Sequence, residues 1–329
     1  MTDRNQGKKK RQPATESPTT GRPGRVTAHH GHLVEVEDDQ GVRWRCQLRM
    51  KLEPLVVGDH VYWEPTGEPE GGVVVAVQPR TRALVRPDPH GRLKAVAANV
   101  DLMVVVFAPL PAPSSILLDR YLVAAELSGI EPQLVLNKKE LLQQESDSGG
   151  GVSPQAVEEL LRMYRETGYS VLEVSAHEGE GLETLRKRLT GHTAVLVGQS
   201  GVGKSALVNA LLPAAQRRTG EVSKSGLGQH TTADTRLFHL PGLSGRASLI
   251  DSPGIREFGL WHIDEEELLR GYRELAELSE HCRFRNCSHR HEPGCAIRQA
   301  AEEGRIHPRR LENFFRIADT LDPERKQRY

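Results

Sequence analysis

Eight residues, Gly198 to Ser205, carry the most specific chemical pattern in the chain. They read Gly-Gln-Ser-Gly-Val-Gly-Lys-Ser and fit G-x-x-x-x-G-K-[ST], the pattern of a loop that binds phosphate groups. Its glycines let successive backbone N–H groups turn towards one phosphate, and a following helix adds partial positive charge at its N-terminus. Lys204 is expected to reach the terminal phosphates of a nucleoside triphosphate, and the Ser205 hydroxyl to take one site on Mg²⁺.

The segments on either side of this loop are the ones that it requires. The apolar run 193–197 predicts a buried strand, and residues 206–212 predict a helix, so the loop lies between a strand and a helix. This context favours a real phosphate loop over a glycine-rich turn. The predicted phosphate-binding residues are Gly198, Gln199, Ser200, Gly201, Val202, Gly203, Lys204, Ser205 and Ala206.

Two further segments have the residue types that handle phosphate and magnesium. Asp251 ends a predicted strand and begins Asp-Ser-Pro-Gly, which places its carboxylate to hold Mg²⁺ through water. The backbone N–H of Gly254 is expected near the γ-phosphate, so Gly254 is a predicted catalytic residue together with Lys204. Thr231 and Thr232 lie in a polar loop before that strand, where a hydroxyl would complete the Mg²⁺ shell.

Two motifs upstream of the phosphate loop are typical of guanine recognition. Residues 137–140, Asn-Lys-Lys-Glu, resemble N-K-x-D, whose carboxylate accepts hydrogen bonds from guanine N1–H and the exocyclic amine, donors that adenine does not present there. Residues 175–177, Ser-Ala-His, resemble the companion loop that contacts the guanine oxygen. Either motif alone is weak, but together with the phosphate loop they predict a GTPase. The predicted base-binding residues are Asn137, Lys138, Lys139, Glu140, Ser175 and Ala176.

The order of these motifs and the strand pattern predict the domain organisation. Residues 1–25 form a basic, disordered tail, and short strand-like runs in 26–85 favour a small barrel, most simply an OB fold. Strands and helices then alternate through 95–260, which predicts an α/β sheet with every motif at a strand's carboxyl end. Because base-reading motifs precede phosphate-handling ones, the GTPase domain is circularly permuted. Residues 264–329 form a C-terminal domain.

The cysteines are clustered. Three of the four fall between Cys282 and Cys295, a spacing that suits a metal site in a reducing compartment better than a disulfide framework. Three thiolates and one imidazole make a closed, structural zinc set with no open position for catalysis. The cysteines are Cys282, Cys287 and Cys295, and the candidate imidazoles are His281, His289 and His291.

Composition and charge limit the possible partners. The chain has 329 residues, 37% hydrophobic and 27% charged, and no apolar run approaches the roughly 18 residues of a membrane helix, so we expect a cytoplasmic protein without a membrane partner. The net charge is zero, but residues 281–311 contain seven arginines against three glutamates. Basic segments at both ends favour a polyanion such as RNA, although solvated charged faces are an open alternative. The arginines expected to face RNA are Arg283, Arg285, Arg290, Arg298, Arg309 and Arg310, with Arg80, Arg82, Arg86, Arg92 and Lys94 as a second cluster.

The permuted motif order, the N-terminal barrel and the C-terminal cysteine cluster together resemble the RsgA/YjeQ family, bacterial GTPases of small-ribosomal-subunit maturation. The resemblance extends over 26–315 and includes Leu118-Asp119-Arg120-Tyr121-Leu122 and Gly226–Thr232. It implies GTP hydrolysis stimulated by the small (30S) subunit, binding of rRNA, one structural Zn²⁺ with His289 as the fourth ligand, Mg²⁺ with GTP, and a monomer. Glu140 departs from the family's usual aspartate.

Hydrolysis is expected to be slow without help. The position after Asp251–Gly254 is Ile255, which cannot orient water as a glutamine does there in other GTPases. His230 is the candidate catalytic substitute, as a water-positioning residue or weak base, with a packing histidine as the alternative. Two other functions stay open: a P-loop enzyme that uses ATP or mixed nucleotides, and a nucleotide-gated RNA-binding scaffold whose turnover hardly matters.

Overall fold

Short β-rich segments separated by turns fold the N-terminal part of the chain into a five-stranded barrel. The computed structural model describes residues 21–49, 52–88, 92–143, 152–212, 235–242, 246–251 and 263–321. The barrel strands are β1 (Arg22–His30), β2 (Leu33–Glu37), β3 (Arg43–Leu48), β4 (His60–Pro65) and β5 (Gly71–Val77). They pair in the order β1-β2-β3-β5-β4, and β4 closes the barrel against β1. Only β3 and β5 run parallel, which is the arrangement of the OB fold.

Two features differ from the sequence-based boundaries. Strand β1 begins at Arg22, inside the segment 1–25 that was assigned to a disordered tail; residues 1–20 lie outside the described part. A hairpin of β6 (Ala83–Pro87) and β7 (Leu93–Ala98) connects the barrel to the next domain, where the sequence had placed only a basic cluster. Residues 22–25 of β1 obtain their strand partner from the distant β4, which the local pattern does not reveal, whereas β6 and β7 pair with each other as a local hairpin.

The middle of the chain forms a six-stranded sheet with helices on both faces. Its strands are β8 (Leu102–Phe107), β9 (Glu131–Leu136), β10 (Val171–Glu173), β11 (Thr193–Val197), β12 (Arg236–His239) and β13 (Ser248–Asp251). The order is β10-β9-β8-β11-β13-β12, parallel except for β12. The helices are α1 (Ser115–Leu127), α2 (Pro154–Glu166), α3 (Leu182–Leu189) and α4 (Lys204–Leu211).

Two apolar layers bury the two faces of this sheet. Strand β8 is buried throughout, and its side chains alternate between the layers as the strand period of two requires. Met103 and Val105 face α1 and α2, while Leu102 and Val104 face the layer that contains α3 and α4. A strand buried on both faces is expected at the centre of a parallel sheet, so the α/β prediction is confirmed.

The C-terminal part consists of short helices that extend the first of these layers. They are α5 (Glu265–Arg270), α6 (Arg273–Ser279), α7 (Ala296–Glu302) and α8 (Pro308–Ala318). Helices α5 and α6 are separated by a break at Gly271 and Tyr272. A Cβ on Gly271 would lie 2.5 Å from Val123 Cγ1, so α1 approaches too closely for any other residue. Ile297, Phe314 and Ile317 share one core with α1 and α2.

The barrel and the sheet are joined along one edge. Strand β1 pairs with β12 at Ala28 and Arg236, so the two sheets are continuous. The Arg25 guanidinium donates to Thr193 Oγ1 at 2.7 Å, across 168 residues of chain. Within the described ranges, none of the helices is long and apolar enough to span a bilayer.

Candidate functional site

The phosphate loop connects β11 to α4 and follows a path that requires glycine. Gly198 has φ 140° and Gly203 has φ 92°, both in the region that side chains disfavour. A Cβ on Gly198 would overlap the Val106 carbonyl oxygen, and one on Gly203 would overlap Asn137 Nδ2. The loop is therefore pressed against the ends of β8 and β9, with Ser200, Gly201, Ser205 and Ala206 exposed on its open side.

Asn137 joins the three nucleotide loops into one unit. Its buried amide donates to the Val202 carbonyl in the phosphate loop at 2.9 Å, and its Oδ1 accepts from the Ala176 N–H at 3.0 Å. The three residues come from the ends of different strands, and 65 residues separate Asn137 from Val202. The structure thus brings together the motifs that the sequence showed separately, and it gives Asn137 a bridging position.

Two lysines hold the same loops through backbone carbonyls. Lys138, in the left-handed region at φ 61°, donates to the carbonyl oxygens of Leu110 at 2.9 Å and Gly201 at 2.7 Å. The Lys204 ammonium lies inside the phosphate loop, 2.6 Å from the Gly198 oxygen and 2.7 Å from the Gln199 oxygen. The ammonium of Lys204 is thus held where a phosphate in the loop would meet it. The sequence indicated Lys138 as a motif residue but not its contact with Gly201.

One carboxylate oxygen of Glu140 accepts no hydrogen bond from the described residues. Glu140 lies at the start of a 3₁₀ turn, Lys139–Gln143, and its Oε2 is buried with no hydrogen-bond partner among the described residues. The neighbouring Lys139 instead pairs with Glu180. A buried carboxylate oxygen without a partner is costly, and a ligand that donates N–H groups would remove that cost.

The companion loop after β10 is ordered by its own hydrogen bonds. Buried Ser175 accepts the Glu178 N–H on its Oγ at 2.9 Å and donates its own N–H to the Glu180 carbonyl at 2.9 Å. This closes a tight turn that holds the Ala176 N–H against Asn137. Ser175 acts in the framework of the loop, while Ala176 is half-buried beside the base-binding motif.

The remaining nucleotide residues are only partly described. Asp251 is the last residue of β13, next to β11, and so ends at the edge of the sheet from which the phosphate loop starts. His230, Thr231, Thr232 and Gly254 lie outside the described residues. The structure therefore assembles the loops of residues 137–140 and 175–177, the phosphate loop and the Asp251 carboxylate at one edge of the sheet.

The cysteine cluster has the geometry of a tetrahedral metal site. The Sγ atoms of Cys282 and Cys295 lie 3.6 Å and 3.5 Å from His289 Nδ1 and 4.0 Å from each other, and with Cys287 all ligand atoms fall within 4.8 Å. A tetrahedral zinc separates a sulfur and a nitrogen ligand by about 3.6 Å and two sulfurs by about 3.8 Å. The four residues therefore fit a metal of zinc's size and preferences.

The structure also selects the histidine and its ligand atom. His289 is buried, at φ 62°, and points Nδ1 into the cluster, whereas His281 and His291 are exposed. Glu292, which the sequence analysis did not single out, accepts the Ser288 and His291 N–H groups at 3.0 and 3.2 Å. A hydrogen bond from the Ser288 side chain, together with these backbone N–H groups, lowers the pKa of Glu292, and the carboxylate holds the loop between two of the ligands.

Comparison with known proteins identifies the family. A family model described as RsgA GTPase matches residues 77–261. "Small ribosomal subunit biogenesis GTPase RsgA" from Alcanivorax borkumensis is 58% identical over 313 residues, covering 93% of this chain and 86% of the relative. The chain belongs to the RsgA family. The relative of the same name from Ectopseudomonas mendocina is 52% identical over 303 residues, covering 91% of this chain and 85% of that one.

Solved structures agree with the RsgA fold found here. The crystal structure of YjeQ from Thermotoga maritima superposes with a TM-score of 0.72 at 32% identity, over 91% of this chain and 98% of the other. YloQ, described as a circularly permuted GTPase, superposes with a TM-score of 0.70 at 27% identity, over 95% and 99%. The predicted combination of barrel, permuted GTPase domain and C-terminal cysteine cluster is confirmed.

In this RsgA family member, a buried polar network joins the GTPase domain to the C-terminal helices. Asp119 of α1 is fully buried and receives hydrogen bonds from Tyr164 at 2.8 Å, Tyr272 at 3.2 Å and Asn313 at 2.8 Å. Arg310 of α8 adds a direct ion pair. Burial raises the pKa of Asp119, but Arg310 and these donors oppose the rise. All four partners can donate, which suits an ionised carboxylate.

Arg310 is therefore not an RNA-facing residue, contrary to the expectation from sequence. Its Nε and Nη2 also contact Glu274 of α6 at 2.7 and 3.1 Å, and its guanidinium lies 4.4 Å from the Tyr272 ring centroid. Arg80 was likewise assigned to an RNA-facing cluster, but it makes a bidentate pair with buried Asp59 at 2.7 and 2.8 Å. Asp119 lies on the apolar face of α1, and a charged residue at such a position is the one signal in the sequence that indicates a buried polar network.

Alanine at Gly203 is expected to weaken nucleotide binding. Its Cβ would displace Asn137 and strain a residue at φ 92°, and strain of this kind costs about 1–3 kcal/mol, or roughly 5- to 150-fold in affinity. Gly191→Ala is the matched control, because Gly191 has φ 81° but its Cβ would meet nothing within 4 Å. Titration with a fluorescent GDP analogue measures both. Unchanged affinity in Gly203→Ala would contradict the close packing.

Proposed function

We propose that the protein hydrolyses GTP to GDP and phosphate, and that this reaction is coupled to late maturation of the small ribosomal subunit. The observation that carries the proposal is the buried Oε2 of Glu140, which has no hydrogen-bond partner in the described part of the chain and lies beside loops that Asn137 ties to the phosphate loop. One rigid site thus offers an unsatisfied carboxylate to a base and a glycine-rich cradle to phosphates. Guanine has the two donors that such a carboxylate accepts.

In this proposal Glu140 selects guanine because its buried carboxylate oxygen stays without a hydrogen-bond donor when adenine binds. Guanine N1–H and its exocyclic amine both donate, whereas adenine presents an acceptor at N1. A buried polar group without a partner costs about 1–3 kcal/mol, and more when it is charged, so the wrong base is penalised at least several-fold. The extra methylene of glutamate moves the carboxylate by about 1.5 Å relative to aspartate.

Phosphate handling is assigned to the residues that the phosphate loop and the neighbouring strand provide. The Lys204 ammonium, held within the loop, would exchange its carbonyl contacts for phosphate oxygens. Ser205, Asp251 and the hydroxyls of Thr231 and Thr232 would hold Mg²⁺. The ion supplies charge stabilisation for the transferred phosphoryl group.

Catalytic roles beyond positioning are assigned to residues of segments 213–234 and 252–262, which lie outside the described ranges. We place the Gly254 N–H at the γ-phosphate and His230 at the attacking water, because Ile255 has no polar group. An imidazole whose ordinary pKa lies near neutrality is suited to orient a water or take its proton. His230→Ala should then lower subunit-stimulated turnover more than GTP binding, and equal stimulated rates would remove His230 from the mechanism.

The C-terminal domain supplies a structural Zn²⁺ site and a surface for rRNA. The donor set of Cys282, Cys287, His289 and Cys295 is closed, so the metal would stabilise the loop rather than catalyse. We propose that the protein works as a monomer in the cytoplasm, where its ribosomal partner is assembled.

The test is GTP hydrolysis by purified protein with and without purified small ribosomal subunits, with ATP in parallel. We expect hydrolysis to be restricted to GTP and strongly stimulated by the subunits. Equal use of ATP would show that Glu140 does not read guanine and would leave a P-loop enzyme of broader specificity. Absence of stimulation would remove the ribosomal coupling and favour a nucleotide-gated scaffold.

A further inference from the structure

The loop between the first two metal ligands carries an exposed aromatic ring. Residues 283–286, Arg-Phe-Arg-Asn, are all exposed, and we call them the 283–286 tip. Phe284 is 41% exposed and is the one aromatic among the exposed large hydrophobic residues of the described ranges. A single exposed apolar side chain is common on protein surfaces, so this ring gains its significance from the rigid loop that holds it and the charges beside it.

The tip is held rigidly by residues on both sides. Cys282 precedes it and Cys287 follows it, and both belong to the metal cluster. The Arg283 N–H donates to the Gly294 carbonyl at 3.1 Å, and a Cβ on Gly294 would already lie 3.2 Å from Arg283 Cβ. The Arg283 guanidinium lies 5.5 Å from the Phe284 ring centroid. A preorganised ring loses little conformational entropy when a partner stacks on it.

The charges at the tip differ from those of most arginines nearby. Within the described residues, neither Arg283 nor Arg285 has a carboxylate within ion-pair distance. Five other C-terminal arginines each form an ion pair with an acidic side chain: Arg290 with Asp319, Arg298 with Glu302, Arg305 with Glu303, Arg310 with Asp119 and Glu274, and Arg316 with Glu312. Two unpaired guanidinium groups on either side of an exposed ring therefore favour an anionic partner with a flat apolar face.

We propose that the 283–286 tip binds an unpaired base of ribosomal RNA, with Phe284 stacked on the base and Arg283 and Arg285 on the adjoining phosphates. This inference rests on the proposed function and adds a recognition residue to it. Single-stranded RNA offers the required combination of a π face and closely spaced negative charge, and proteins read it by stacking bases on aromatic and guanidinium planes. An acidic ribosomal protein is the competing partner. Such a protein would contact the ring as an apolar surface and would not require its π face.

Substitutions at Phe284 separate the two partners. Tryptophan keeps a π face, whereas leucine keeps the apolar bulk and removes the face. We expect Phe284→Trp to bind purified small ribosomal subunits within about 2-fold of the parent, and Phe284→Leu to bind about 5- to 150-fold more weakly, the range of one lost base stack. Arg285→Gln should reduce the salt dependence of binding by about one phosphate contact.

The measurement is the dissociation constant for subunits in the presence of a non-hydrolysable GTP analogue, with chemical probing of unpaired rRNA bases. One base protected by the parent should become reactive with Phe284→Leu. Leu127→Ala, an exposed apolar residue at the end of α1, is the control and should bind as the parent does. Equal binding by Phe284→Leu and the parent, or by the leucine and tryptophan variants, overturns the stacking proposal alone. Failure of the parent to bind subunits overturns the proposed function as well.

Discussion

Replacing Arg310 by methionine is expected to lower the free energy of unfolding by about 3–5 kcal/mol. The substitution leaves the Asp119 carboxylate fully buried without its counter-charge, and breaking a buried pair from one side has this cost. Burial disfavours the charged form of Arg310, but Asp119 and Glu274 outweigh it and raise the pKa of the guanidinium. The charge is therefore present at every pH at which the protein is folded.

Urea denaturation followed by helical circular dichroism measures the effect of Arg310→Met. Arg316→Met is the matched control, since Arg316 lies on the same helix but pairs with Glu312 at 3.7 Å on the surface, where the side chains are 61% and 65% exposed. The control should change stability by at most about 0.5 kcal/mol. A loss below about 1 kcal/mol for Arg310→Met would contradict the buried pair.

Removing both charges tests whether the network is the cause. With Asp119→Asn added to Arg310→Met, no carboxylate at position 119 is left unpaired, so part of the lost stability should return. In the parent, burial and then the Asp119 charge raise the pKa of the Tyr164 and Tyr272 phenols, so both keep their protons and donate to the carboxylate. A loss of stability in the double variant equal to the sum of the losses in the two single variants would show that Asp119 and Arg310 act independently.

The second large effect is expected from loss of the metal. Alanine at Cys295 should abolish stoichiometric zinc binding and unfold residues 282–295, since small zinc domains obtain about 10–16 kcal/mol of apparent folding energy from the metal. Cys295 is also the N-cap of α7 and belongs to the core that includes Ile297 and Phe314. The damage should therefore extend into the helices that pack on α1.

Elemental analysis and limited proteolysis test this expectation. Cys46→Ala provides the control, because Cys46 is equally buried but lies in the barrel, away from the cluster. It should retain one zinc per chain and the parent's cleavage pattern. If Cys295→Ala keeps its zinc, or if metal-free protein resists proteolysis as the parent does, the site is not a structural one.

Local patterns predicted the elements that carry the site. Strand β11 has the predicted bounds, the helix predicted over 206–212 is α4 at Lys204–Leu211, and the Ser114 side chain caps α1. Motif spacing works here because each loop must follow a buried strand directly. The fold class followed from the same alternation of apolar strands and amphipathic helices.

Long-range contacts explain what sequence reasoning missed. Position 271 requires glycine because Val123 of α1 lies so close, and the first residues of β1, from Arg22, are strand because they pair with β4 at Trp63. Arg80 and Arg310 were expected on an RNA-facing surface because arginine clusters usually are solvated. Their carboxylate partners lie 21 residues away for Arg80 and 36 and 191 residues away for Arg310. Nothing in the local sequence distinguishes a paired arginine from a free one.

The sequence by itself determined which chemistry the protein carries: a phosphate loop, guanine-type motifs in permuted order and a three-cysteine, one-histidine cluster. These depend on residue types at short spacings, which local geometry translates directly into loops and ligand sets. Only the tertiary structure decided that Asn137 bridges three loops, that His289 presents Nδ1 and that Arg310 is internal. Among the described residues, it also decided that Glu140 holds an oxygen without a partner and that Arg283 and Arg285 have no acidic partner. Each of these depends on which distant side chains share a low-dielectric interior, and that is a property of packing rather than of sequence spacing.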